Sequence, residues 1–240
     1  MSTLKKIISS LKFTPLHPQW FAHFRASKGL KNICQNLNGT VLDIGCADSK
    51  PKDYMPSSVN YIGLDYYDTA TNWYKTKPNL FGDAAQLPIN SSAIDHCLLL
   101  DVLEHLPVPS KAIAEINRIL KPDGKFFLQV PFLYPIHDAP LDFHRWTEFG
   151  LCQILENENF KVLKVEANGH PLETAALNMC IALSKTCLNW IEHRNPLAMF
   201  TIVLPPLILA LNLLAWTFAK FDRETPFMPY GYRISCVKTV

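Results

Sequence analysis

The sequence predicts an α/β protein built on an open, doubly wound, mainly parallel sheet. Three observations carry that expectation. Between residues 39 and 168, short apolar runs alternate with helical patterns, as repeated βα units require. Acidic residues punctuate four successive strand ends: Asp43, Asp65, Asp83 and Asp101. A last strand-like run, 231–238, follows a long apolar stretch and returns the chain to the sheet. At 240 residues the chain can bury one such core and still carry appended structure.

Taken in order, residues 1–38 form a basic, aromatic arm. Residues 1–42 contain no Asp or Glu, but carry Lys5, Lys6, Lys12, Arg25, Lys28 and Lys31, with Phe13, Trp20, Phe21 and Phe24 interleaved. The overall charge of +2 hides this asymmetry, which suits an anionic surface. It lacks the apolar core and cleavage site of a signal peptide.

The core is expected over 39–169, with strands at Thr40–Ile44, Tyr61–Leu64, His96–Leu100, Lys125–Val130 and Lys161–Val165. Between the third and fourth, Pro109 and Ser110 start a helix whose apolar face is Ile113, Ile116, Ile119 and Leu120. Lys121-Pro122-Asp123-Gly124 stops it. Residues 170–230 form an apolar helical insert, and 231–240 supply the final strand. Seven cysteines lie scattered with no CxxC pair, which argues for a reducing compartment and against a disulfide framework or a zinc site; no metal is expected.

The densest chemical signal is Val41-Leu42-Asp43-Ile44-Gly45-Cys46-Ala47-Asp48-Ser49. A buried strand runs into a turn at Gly45, where a missing Cβ lets backbone approach a ligand. In open α/β sheets ligands sit beyond the carboxyl ends of the strands. Asp65, 22 residues after Asp43, can accept hydrogen bonds from ribose hydroxyls. Any one of these aspartates could merely terminate a strand; the ordered set points to a nucleoside cofactor.

These segments resemble the class I S-adenosylmethionine-dependent methyltransferases, especially the type 11-like subgroup. The similarity rests on Val-Leu-Asp-Ile-Gly-Cys at 41–46, Gly63-Leu64-Asp65, Gly82-Asp83-Ala84 with Leu87-Pro88, Asp101-Val102-Leu103-Glu104-His105-Leu106, and Leu120-Lys121-Pro122-Asp123-Gly124. The resemblance implies a Rossmann-like, seven-stranded sheet with an antiparallel last strand and S-adenosylmethionine as cofactor. Asp65 would then bind ribose, Asp83 with Ala84 would bind adenine, and Gly45 and its neighbours would underlie the methionine part. Asp43, Cys46, Ala47, Tyr66, Asp101 and Val102 complete the expected cofactor set. The family's two further loop glycines are replaced by Ala47 and Ser49. That replacement counts more heavily against a nicotinamide oxidoreductase, whose GxGxxG needs its second glycine for pyrophosphate. A non-catalytic binding or scaffold protein on the same fold is the remaining alternative.

Acid–base candidates cluster at 137–146, just after the strand ending Gln129-Val130-Pro131. His144, Asp142, His105 and His137 are the candidate catalytic residues, and Arg145 and Trp146 the candidate substrate contacts. Equally, His144, Arg145 and Trp146 could anchor the next helix, with Thr147 as its N-cap. The stretch also resembles methyltransferases encoded near polysaccharide genes, which implies a glycan or lipid-linked acceptor and favours O-methylation.

Residues 197–219 hold no charge and as a helix would reach roughly 34 Å, enough to cross a bilayer. A return to the sheet at Gly231 conflicts with a single crossing, and Pro205-Pro206 is expected to break the helix midway. A hairpin with Glu173–Ile191, anchored at Trp216, Lys220 and Arg223, would lie at a membrane interface instead. The expected location is the cytoplasm, peripheral or monotopic at the inner membrane face. Nucleic acid is a less favoured partner.

Overall fold

The computed structural model describes residues 11–223 and 226–239; Lys5 and Lys6 of the basic arm lie outside them. Its elements are α1 (Trp20–Cys34), β1 (Thr40–Ile44), β2 (Asn60–Asp65), β3 (Leu80–Phe81), β4 (Ile94–Leu100), α2 (Pro109–Ile119), β5 (Leu120–Pro131), α3 (Glu148–Asn157), β6 (Phe160–Asn168), α4 (Pro171–Glu192), α5 (Leu204–Ala219) and β7 (Gly231–Lys238). The chain folds as two units. Among the described residues, one holds 29–132, 136–167 and 231–239; the other holds those through Lys28, 133–135 and those of 168–230.

In the first unit seven strands form one sheet in the order β3-β2-β1-β4-β5-β7-β6. β1 pairs in parallel with β2 on one side and β4 on the other, so strand order reverses there. β7 runs antiparallel to β5, with Gly231 opposite Pro131. It therefore starts at the edge where the parallel strands end. Val41, Leu42, Ile44, Cys97, Leu98 and Leu99 are all buried, as continuous apolar strands covered on both faces must be. α2 contributes Ala112, Ile113, Ile116 and Ile119 from one face.

Three local expectations need correction. Leu120 is not part of the helix face but the first residue of β5, with φ −68° and ψ 139°. Lys121–Gly124 is an excursion within that strand: Ile94 pairs with Leu120 and His96 with Lys125, leaving the four residues between them unmatched. Pro205 and Pro206 open an α-helix instead of breaking one, because the first helical turn needs no backbone N–H from them. The residues before them, Pro196–Val203, form tighter helical turns.

The second unit is built on α4 and α5. His170 caps α4: its side chain accepts from the Leu172 amide, and its own amide donates to Glu173. Glu173 is buried and pairs with Arg25 at 2.6 Å. Asn212, fully buried on α5, donates to the carbonyls of Pro15 and His17 at 2.7 and 3.1 Å. Trp20, Phe21, Ala176 and Ala215 complete a small apolar cluster.

Candidate active site

At the carboxyl edge of the sheet the loop after β1 takes an unusual backbone path. Gly45, Ala47 and Ser49 all have positive φ, at 73°, 42° and 56°. The left-handed geometry that glycine normally supplies is thus kept at two positions that lack glycine. Gly45 itself is obligatory, since a Cβ there would lie 2.3 Å from Val102 Cγ2. Asp65 fixes the loop from the neighbouring strand end. Its carboxylate accepts from the amides of Ala47 and Tyr66, at 3.0 and 2.7 Å, and from the Thr69 hydroxyl. About four lone-pair positions exist on a carboxylate, so three are already engaged.

The other expected cofactor residues divide by exposure. Asp43 is buried and accepts from the Tyr61 hydroxyl at 2.7 Å; burial pushes its carboxyl up to about 7. Cys46 and Ala84 are buried, whereas Tyr66 is half exposed. Asp83 is exposed, with one oxygen accepting from the Ala85 amide. Asp101 has φ 56° and accepts from Gln129 at 2.7 Å. Gly45, Asp65, Tyr66, Asp83 and Asp101 thus belong to neighbouring strand ends or the turns directly after them. The close backbone approach at Gly45 and the acidic strand ends suit an extended nucleoside cofactor with hydroxyl and amine donors. A separate cavity of about 400 Å³, lined by Asn32, Asn36, His96, Lys125 and Arg233 among others, contains none of these acids.

Beyond β4 a short helical turn, Leu103–His105, carries a buried carboxylate that residue-by-residue reading of the sequence did not single out. Glu104 is 0% exposed, and neither of its side-chain oxygens has a hydrogen-bond partner among the described residues. Two imidazoles face it: His105 Nε2 at 3.7 Å and His137 Nε2 at 3.6 Å from Oε1. His105 Nδ1 lies 3.0 Å from the Leu141 carbonyl, and His137 Nδ1 lies 3.3 Å from Asp142. Arg145 grips Asp142 with two donors, at 2.5 and 2.7 Å, and holds its carboxyl down at about 2.

That grip suits Asp142 to orienting His137 better than to taking a proton, and it engages Arg145 as well. The His144 and Trp146 rings lie 5.1 Å apart, tilted by 31°, and His144 Nε2 is buried without a hydrogen-bond partner among the described residues. Thr147 caps α3 by accepting from Gly150. His105 and His137 are therefore the two candidates brought together, and Glu104 is the group they share. The signal for it was present as Glu104-His105 side by side; its burial was not.

A family profile described as Methyltransferase domain matches residues 42–128. A probable S-adenosylmethionine-dependent methyltransferase of Mycolicibacterium smegmatis is 28% identical over 133 residues, covering 51% of this chain and 52% of that protein. The sterol 24-C-methyltransferase of Schizosaccharomyces pombe is 28% identical over 123 residues, 46% of this chain and 32% of that one. The chain thus matches about half the length, or less, of these curated relatives. Among solved structures, phosphoethanolamine N-methyltransferase 2 of Haemonchus contortus, in complex with S-adenosyl-L-methionine, shares the fold. It has a TM-score of 0.53 at 11% identity, over 100% of this chain and 61% of that one. Motif order, the left-handed turn at Gly45 and these matches agree: residues 42–128 are similar to a methyltransferase domain, and S-adenosylmethionine is the cofactor that this similarity supports.

Proposed function

We propose that the chain transfers a methyl group from S-adenosylmethionine to a hydroxyl of a glycan or lipid-linked acceptor at the inner face of a membrane, in polysaccharide assembly. The methyl-transfer part rests on the turn at Gly45, Ala47 and Ser49, tied by Asp65 to the next strand end. Bound there, the cofactor supplies an electrophilic methyl on a sulfonium. The chain's own contribution is mainly alignment, which can lower a barrier by roughly 7–11 kcal/mol. A neutral hydroxyl must also lose a proton, and a positioned acid–base group adds roughly 10²–10⁴-fold. The Glu104, His105 and His137 cluster follows directly on the Asp101 strand end, where an acceptor hydroxyl could be held and made acidic.

The membrane part rests on one observation. Pro196–Ala219 is 24 residues long and apolar enough to cross a bilayer, yet only 11% of its most apolar stretch is buried. Ile202, Leu214 and Phe218 are each more than half exposed. Lys220 sits 3.1 Å over the Trp216 ring, a pairing that suits an interfacial anchor. The sterol methyltransferase resemblance adds a relative whose name denotes a lipid acceptor.

Full-length protein incubated with methyl-labelled S-adenosylmethionine and a membrane lipid extract should place label in the lipid phase. Label confined to water-soluble acceptors would remove the lipid part. Binding of NAD(P)H in place of S-adenosylhomocysteine would overturn methyl transfer itself.

A further inference from the structure

We infer that Glu104, His105 and His137 form a binding site for one divalent transition-metal ion of the zinc class. Their ligand atoms lie within 4.8 Å of one another. The carboxylate of Glu104 is wholly buried, and among the described residues neither oxygen has a hydrogen bond, a costly state unless something compensates the charge. The two imidazole nitrogens stand 3.6 and 3.7 Å from Oε1, too far for good hydrogen bonds. Two donors held about 2.1 Å from a common ion at a tetrahedral angle would be roughly 3.4 Å apart. The observed spacing is close to that of ligands around an ion.

The outer contacts point the same way. The Leu141 carbonyl can only accept, so His105 carries its proton on Nδ1 and turns the Nε2 lone pair toward Glu104. Asp142 stands 3.3 Å from His137 Nδ1 and accepts from the His137 amide, and Arg145 holds Asp142 in place. A carboxylate or backbone carbonyl behind each histidine is how protein sites fix the ligating tautomer. Two imidazoles with one carboxylate select zinc, manganese or cobalt over magnesium or calcium, which prefer oxygen alone. Three protein ligands leave coordination positions open. That an acceptor oxygen would fill one of them rests on the methyltransferase reading above; the binding of the ion does not.

The test uses the full chain, stripped with a chelator and titrated with Co²⁺, without cofactor. One ion per chain is expected, with the visible absorption of imidazole-ligated cobalt and two exchangeable, hyperfine-shifted imidazole N–H signals. His105→Ala and His137→Ala should each weaken binding more than 100-fold, and Glu104→Gln should do so while keeping the side chain's shape. Asp142→Asn should weaken it by roughly 10–100-fold, the range for outer-shell partners. His193→Ala, at the end of α4, should leave it unchanged. No stoichiometric binding, or binding that these substitutions leave intact, overturns the site. Should a variant fail to fold, the wild-type spectrum decides, since cobalt without the two imidazole signals is not bound here. S-adenosylhomocysteine binding is measured separately; its absence beside intact cobalt binding would count against the proposed function and not against the site.

Discussion

Ala47 shows how a single side chain can carry a cost for the sake of geometry. At φ 42° its Cβ crowds the backbone, which in left-handed conformations costs an L-residue about 1–2 kcal/mol. Its amide nevertheless donates to Asp65, so the conformation is held. Ala47→Gly should relieve the strain, offset by about 0.4–1 kcal/mol of extra freedom in the unfolded chain. A small net gain, about 0.5 kcal/mol in denaturant titration, is expected; a loss above 1 kcal/mol would mean the methyl group packs. Asp43 offers a pH test. Its carboxyl is pushed from 3.8 up to about 7, chiefly by burial. Between those values the folded chain holds a proton that the unfolded chain has released. Stability from this site is therefore fully present below pH 3.8 and falls as pH rises toward 7, by about 1.4 kcal/mol per unit. Asp43→Asn keeps an acceptor for Tyr61 and should remove that slope, gaining on wild type at pH 7.5 relative to pH 5. An equal difference at both values would show that Asp43 does not titrate in this window. The sequence marks both residues but not these roles, because neither a positive φ nor an internal hydrogen bond has a composition of its own.

Elements were legible where periodicity was long, and ambiguous where one residue type serves two structures. The helix 109–119 has its apolar face at Ala112, Ile113, Ile116 and Ile119, and the central strands are continuous apolar runs. β3 escaped because two residues, Leu80 and Phe81, carry no period at all. Lys121-Pro122-Asp123-Gly124 reads as a helix stop, yet the helix ends at Ile119 and the strand already begins at Leu120 before it. Pro205-Pro206 can end a helix or begin one, and only the helical turns ahead of it settle which. Asn212 is the instructive residue on α5: a polar group in an apolar helix, fully buried, holding the carbonyls of Pro15 and His17. Asn212→Leu would leave both acceptors without this donor, at about 1–3 kcal/mol for each that water cannot reach. Hydrogen exchange should then quicken at residues 11–19 and along α5, while the amides of β1 and β4 keep their protection. Unchanged exchange at 11–19 would mean that other contacts hold that segment.

Across the whole molecule the sheet needs nothing beyond ordinary burial, but the apolar helical unit does. Its inward stripe is Ile208, Asn212 and Ala215 on α5, with Ala176 and Leu177 on α4. Outward it presents Ile202 at 80% exposure, Phe218 at 58% and Leu214 at 56%. Side chains like these gain about 1.5–3 kcal/mol each when fully buried, so three of them can hold a protein on a bilayer. Lys28, in the same unit, would add about 1 kcal/mol near anionic lipid, whereas Arg25 is engaged with Glu173. The full chain should therefore float with lipid vesicles, more strongly when the lipid is anionic, and part of the difference should vanish in high salt. Replacing Ile202, Leu214 and Phe218 together by Ser removes little internal packing, because those side chains bury little. Vesicle partitioning should fall by two or more orders of magnitude, since about 1.4 kcal/mol is tenfold. Binding of S-adenosylhomocysteine and the thermal midpoint should stay near wild type. Equal flotation by the triple variant would place the attachment elsewhere. A chain that never floats would leave the apolar face to another partner and end the case for a membrane-embedded acceptor.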